Sequence, residues 1–203
     1  MEANEDNTTN KYYLLNRLFK FVRSAKPLNP VLTGYFCKVL NSLISRKRNQ
    51  FIPFMFKKDA FNHLINHLDC KSIVEVVVKL MNIEESNFEP EYAEQIKLRK
   101  QAAIAKFIEK LSDSFSEEEN MNASQVLNEL LDISEFCAVV ARKSNILKLC
   151  ELSFESSNLA SRNAAKNVLE KLILRINEKK GSAASVYQGE EDEIIIKQDS
   201  DDE

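Results

Sequence analysis

The sequence predicts an all-α fold, an α-solenoid of about nine amphipathic helices stacked in a HEAT/armadillo-like manner, and three observations carry that expectation. Only 3 of the 203 residues are glycine, where average usage near 7% would give about 14. Four prolines and no tryptophan are a poor supply for the turns and core of an all-β sandwich. Apolar residues, 44% of the chain, recur at helical spacing through segment after segment, as they do in helices that bury one face. Helices of about 10 to 20 residues joined by short connectors hide those faces by stacking in pairs, and the resulting arrays expose long surfaces suited to binding. A compact helical bundle is the alternative arrangement of the same elements.

Residues 1–9 are expected to be disordered, residues 10–180 to form the helical domain, and residues 181–203 to be a disordered acidic tail. The first helix is expected from Asn10 through NKYYLLNRLFKFVRSA. The second opens at Asn29, a good capping residue, with Pro30 at the first helical position, where its missing N–H costs nothing. Behind them Leu32, Tyr35, Phe36, Val39, Leu40, Leu43 and Ile44 mark a core-facing stripe. Gly34 in that helix costs about 1 kcal/mol relative to alanine, which suggests close packing against a neighbour. A short apolar helix, QFIPFMFKK, follows, its regularity limited by Pro53.

Phe61, Leu64, Ile65 and Leu68 then share one face of a helix that Asp59 is placed to cap. The segment SIVEVVVKLMN is rich in β-branched residues and would suit a strand. Against that, Ser72 and Glu75 make an S-x-x-E capping box and Glu75 and Lys79 an oriented i, i+4 pair, so a helix is expected. The stretch YAEQIKLRKQAAIAKFIEKL carries Ile104, Phe107, Ile108 and Leu111 as its core stripe. SDSFSEEEN is read as a charged connector, and Asn122 with Gln125 as the capping box of a helix containing Val126, Leu127, Leu130 and Leu131. Two helices are expected at 135–141 and 144–154. The last, 158–179, carries Ala165, Val168, Leu169, Leu172, Ile173 and Ile176 and is expected to stop at Lys179, Lys180 and Gly181, where cations and then glycine suit a helix end.

Composition also bounds function. The shortage of glycine argues against dinucleotide-binding and phosphate-cradling loops. With 28 basic and 31 acidic residues the net charge is −3, not the excess of a nucleic-acid binder. The imbalance is local: beyond Gly189 there are eight acids and one lysine, leaving 27 basic against 23 acidic in residues 1–189. Cys37, Cys70, Cys137 and Cys150 lie far apart in apolar patterns and read as buried small hydrophobes, which with a polar N-terminus lacking a leader suggests a soluble protein of the cytoplasm, with the nucleus as a second compartment. No apolar run reaches the roughly 18 residues a membrane span needs.

His63 and His67 have the spacing of two metal ligands on one helix, with Asp59 near, but the sequence reads HLINH and lacks the glutamate of an HExxH site. Opposite the apolar stripe, they read as a solvated or partner-facing pair; no catalytic, cofactor or metal residue is assigned, and an enzyme is not expected. Arg46, Lys47, Arg48, Lys57 and Lys58 form the densest positive cluster. It reads either as C-terminal charge for a helix or as a docking patch for an acidic protein surface. Ser200, set before Asp201, Asp202 and Glu203, is a candidate phosphosite that would deepen the negative tail.

Residues 28–81 carry a further set of marks: Leu28-Asn29-Pro30, Phe36, Lys38-Val39-Leu40, Ile44-Ser45-Arg46-Lys47, Lys57-Lys58, His67-Leu68 before Ser72, and the aliphatic run to Leu80. With these marks the stretch strongly resembles the central helices of SAPS-domain proteins, regulatory subunits of type-6 serine/threonine protein phosphatases. Asn122-Ala123-Ser124-Gln125 is similar to that family's NASQ helix start. The likeness spans about residues 12–178 and is that of a partial, divergent member. It implies a non-catalytic scaffold that binds a phosphatase catalytic subunit, and further scaffold subunits, and directs substrate choice or location; a general solenoid adaptor for another partner is the alternative. The basic cluster is the contact region on this reading, while Asn29, Pro30 and Asn122 set helix starts.

Overall fold

A computed structural model describes the backbone of residues 12–57 and 59–198, with side chains for 12–56 and 59–178. The described residues form ten α-helices and two 3-10 turns, and no strand. They are α1 (Tyr13–Phe19), α2 (Pro30–Arg46), α3 (Arg48–Lys57), α4 (Ala60–Ile65), α5 (Lys71–Met81), α6 (Pro90–Glu109), α7 (Glu117–Leu130), α8 (Ser134–Val140), α9 (Lys143–Glu155) and α10 (Leu159–Gln198). The expected disorder at residues 1–9 lies outside the described residues. Two layers result: α2, α5, α7 and α10 pack side by side in one, and α3, α6 and the α8–α9 pair back them in the other. This is the pairwise stacking of an α-solenoid.

One contiguous core runs through both layers, from Phe19 and Phe36 through Phe54, Leu64, Val77, Phe107 and Leu127 to Val168. At its N-terminal end Phe19 meets Phe36 and Phe54 edge-on, with ring centroids 5.6 and 5.3 Å apart. α5 is a helix despite its β-branched residues, because burial of Ile73, Val74, Val76, Val77, Leu80 and Met81 outweighs their weak helix propensity. Its N-cap is Cys70, without a side-chain bond, so the Ser72–Glu75 box does not form. Lys79 instead donates to Asn41 Oδ1 (2.8 Å) and ties α5 to α2.

The start of α2 follows expectation: Asn29 Oδ1 accepts from the Val31 and Leu32 amides at 3.1 Å, with Pro30 at the first helical position. Its core face is rotated from the expected one, however, to Thr33, Phe36, Cys37, Leu40 and Ile44, leaving Leu32, Tyr35 and Val39 exposed. Gly34 faces open space, with nothing within 4 Å of where a Cβ would lie, so the expected close packing there is absent. Its φ is not positive, and Gly34→Ala is expected to raise stability by about 0.5–1 kcal/mol, read as a higher midpoint in thermal unfolding.

α7 begins earlier than expected. Ser116 caps it and pairs with Glu119 in a reciprocal capping box, which places Glu117–Glu119 inside the helix and Asn122 in mid-helix. Glu119 is also a buried hub, taking a hydrogen bond from Lys110 at the end of α6 (2.8 Å) and another from Lys26. Lys110 lies 4.0 Å from the centroid of the Phe115 ring. Burial works to raise the Glu119 pKa, but hydrogen bonds from Lys110 and Lys26 outweigh it and hold the carboxyl below its usual range. A carboxylate held low when folded contributes stability above the ordinary glutamate range and loses it as pH falls through the folded value. Stability is therefore expected to decline below about pH 4, with a shallower acid limb for Glu119→Gln in urea titrations at several pH values.

Asn120 donates to the carbonyls of Lys110 (2.8 Å) and Ser112 (3.1 Å), closing the α6–α7 turn. Asp113 accepts from the Ser156 and Ser157 hydroxyls and the Ser157 amide, which hold its carboxyl well below the usual range. Together these bonds fix the start of α10 against the end of α6. α10 continues past the expected stop at Gly181 to Gln198. A glycine terminates a helix when it takes the left-handed conformation, and no glycine among the described residues has positive φ. The segment 181–198 of the expected acidic tail falls within α10, and 199–203, including Ser200, lie outside the described residues.

Candidate functional site

The basic cluster is only partly described. Arg46 closes α2, Lys47 is its C-cap and Arg48 opens α3, all three exposed at one corner. The side chain of Lys57 and all of Lys58 lie outside the described residues. The outward stripe of α2 leads into this corner: Val31, Tyr35 and Val39 are 64, 60 and 45% exposed, and steps of four continue the line through half-buried Leu43 to Lys47. Lys38 Nζ lies 5.7 Å from the Tyr35 ring centroid. An apolar ridge ending in cations is a surface that an acidic partner with an apolar patch would fit.

His63 and His67 do not form an outward pair. His63 is half-buried, and desolvation with the charge of Arg23 lowers its pKa. His67 is 3% exposed, and its Nε2 donates to the Val22 carbonyl (2.9 Å). The helical projection fails because α4 ends at Ile65, which leaves His67 in the following turn. Asp59 occupies the N-cap position of α4 without capping; its carboxylate accepts from Asn62 (3.1 Å) and approaches Arg99 at 4.0 Å. Among the described residues no three of His, Cys, Asp and Glu are grouped to hold a metal. All four cysteines are free, and burial first, then Cys70 and Glu75, pushes the Cys37 thiol up to about 11. No helix among the described residues is long and apolar enough to cross a membrane.

One concave surface is not legible in the sequence. An open groove of about 820 Å³ lies between α7 and α10. The helices run parallel: Ser124 Oγ donates to the Ala164 carbonyl (3.0 Å), and eight residues on, Asp132 receives Lys171 Nζ (3.1 Å) and Arg175 Nε (2.9 Å). Gln125 and Asn128 on α7 and Asn163 and Asn167 on α10 line the groove. Asn122, expected to start a helix, lines it too while donating to the Leu68 carbonyl (2.6 Å). The signal was present as amides four apart at 163 and 167, but polar residues on a helix face say nothing about which neighbour they meet.

Two layers of stacked helices, with their polar grooves and apolar ridge on the outside, define a helical-repeat scaffold that presents surface. The chain matches the family described as "SAPS: SIT4 phosphatase-associated protein" over residues 40–200, and it belongs to that family. It is 32% identical over 166 residues to serine/threonine-protein phosphatase 6 regulatory subunit 3-B of Xenopus laevis, covering 80% of this chain and 18% of that protein. It is 33% identical over 124 residues to human serine/threonine-protein phosphatase 6 regulatory subunit 1, covering 60% and 14%. Extragenic suppressor of kinetochore protein 1 of Schizosaccharomyces pombe is 27% identical over 75 residues, covering 36% and 9%. The chain thus spans under a fifth of the length of these relatives. No solved structure matches.

Proposed function

We propose that the chain is a non-catalytic regulatory subunit that binds the catalytic subunit of a type-6 serine/threonine protein phosphatase and directs its substrate choice or location. The observation that carries this reading is the likeness, over 80% of the chain, to a protein named as a regulatory subunit of that phosphatase. A stacked-helix scaffold suits the role, since its stability comes from neighbouring repeats and its outer faces are left for partners. The contact region we favour is the basic cluster of Arg46, Lys47, Arg48, Lys57 and Lys58 together with the α2 ridge; Arg46, Lys47 and Arg48 stand at the α2–α3 corner and Lys57 ends α3.

Purified catalytic subunit should be retained at moderate salt by this chain or by a longer form containing it. Retention by neither rejects the proposal. Arg46→Glu with Arg48→Glu is expected to slow association and flatten its salt dependence, because exposed charges act mainly on encounter. Unchanged kinetics would move the contact elsewhere on the scaffold.

A further inference from the structure

We propose that the groove between α7 and α10 binds an extended polypeptide segment through its backbone, with one apolar side chain seated between Met121 and Leu159. The inference does not depend on which protein supplies the segment. It starts from the chemistry of the lining. Asn128, Asn163 and Asn167 each carry a carbonyl acceptor and an NH₂ donor, and Gln125, whose NH₂ donates to Glu129 (2.9 Å), adds a carbonyl acceptor; these are the complement of the N–H and C=O that every peptide unit offers. Asn128 also lines the groove, and its Oδ1 is buried without a hydrogen-bond partner among the described residues, so a turn of its amide toward the groove would gain a hydrogen bond from a peptide N–H.

Spacing supports the same occupant. Asn163 and Asn167, followed by Lys171, stand four residues apart on α10, and Met121, Gln125 and Glu129 do so on α7. Four residues of helix rise about 6 Å, close to the roughly 6.6 Å over which an extended chain repeats the same backbone orientation. Parallel helices keep the two ladders in step, so successive rungs meet every second residue of a segment lying along the groove. The small mismatch per rung limits the fit to about three rungs, a footprint of roughly five residues.

The charges select among extended ligands. Lys71 and Lys171 are matched by Glu117 and Glu129, so the lining carries no net charge and its middle is uncharged. A nucleic-acid strand needs a surplus of cations along its phosphates, and this groove has none. Met121 and Leu159, 67 and 66% exposed, stand together at the end where α10 begins. They offer an apolar seat that fixes register, while Glu129 and Lys171 mark the far end.

Panning a phage-displayed random heptapeptide library on the intact chain, then measuring fluorescence anisotropy with the selected peptides, tests the proposal. Enriched peptides are expected to share one apolar anchor and no strong net charge. Asn163→Ala with Asn167→Ala, both exposed positions, should weaken binding about tenfold or more while circular dichroism and the melting temperature stay unchanged. Arg46→Glu should have no effect. Replacing single peptide amides by esters should weaken binding at every second position. Failure to enrich any sequence, equal affinity for the double alanine variant, or indifference to ester substitution would each overturn it.

Discussion

Glu119→Ala is expected to lower the unfolding free energy by about 3–5 kcal/mol, the loss seen when one partner of a buried ion pair is removed. The Glu119 and Lys110 side chains are 7 and 8% exposed, and Lys26 reaches the same carboxylate. Deleting the carboxylate strands the Lys110 ammonium against the Phe115 ring and removes half of the Ser116 capping box. Lys110→Met in the same background should recover a substantial part of the loss, because it removes the stranded charge instead of its partner. Urea unfolding of the two single variants and the double variant measures this directly. A loss below about 1 kcal/mol for Glu119→Ala would show a hub no stronger than an exposed pair.

Phe19→Ala should cost about as much, roughly 3–5 kcal/mol, through the lost transfer energy of a buried ring and the cavity it leaves. Phe19 is fully buried and bridges Phe36 of α2 and Phe54 of α3, so truncation removes two edge-on ring contacts as well. Phe19→Leu keeps most of the volume and is expected to cost under about 1.5 kcal/mol. Thermal unfolding of the pair separates packing volume from side-chain identity. Equal losses for the two variants would mean that the ring contacts, and not the cavity, dominate.

The sequence was most informative where a local signal has a single structural meaning. Asn29-Pro30 placed the start of α2 to the residue, and the stripes Phe61–Leu68, Ile104–Leu111 and Val126–Leu131 are buried as expected. It misled where a signal has two meanings. α2 carries apolar residues on both sides, and periodicity cannot say which stripe meets the core, so Tyr35 and Val39 were read inward although they face out. Both Ser72–Glu75 and Asn122–Gln125 satisfy the capping pattern, yet the working box is Ser116–Glu119, because burial of Glu119 with two lysines selects that start. His67 followed a helical projection past the point where its helix ends. The α7–α10 groove joins residues some forty positions apart, and only the packing of parallel helices reveals that they share a wall.

Because α2, α5, α7 and α10 each pack on the next member of their row, while α10 is held at least as closely by α9 in the layer behind, a load applied at one end is expected to be taken up as small tilts at the α2–α5 and α5–α7 joints. A stack built in this way is expected to bend like a leaf spring to follow a curved body, with the densely packed α7–α9–α10 end as its stiff leaf.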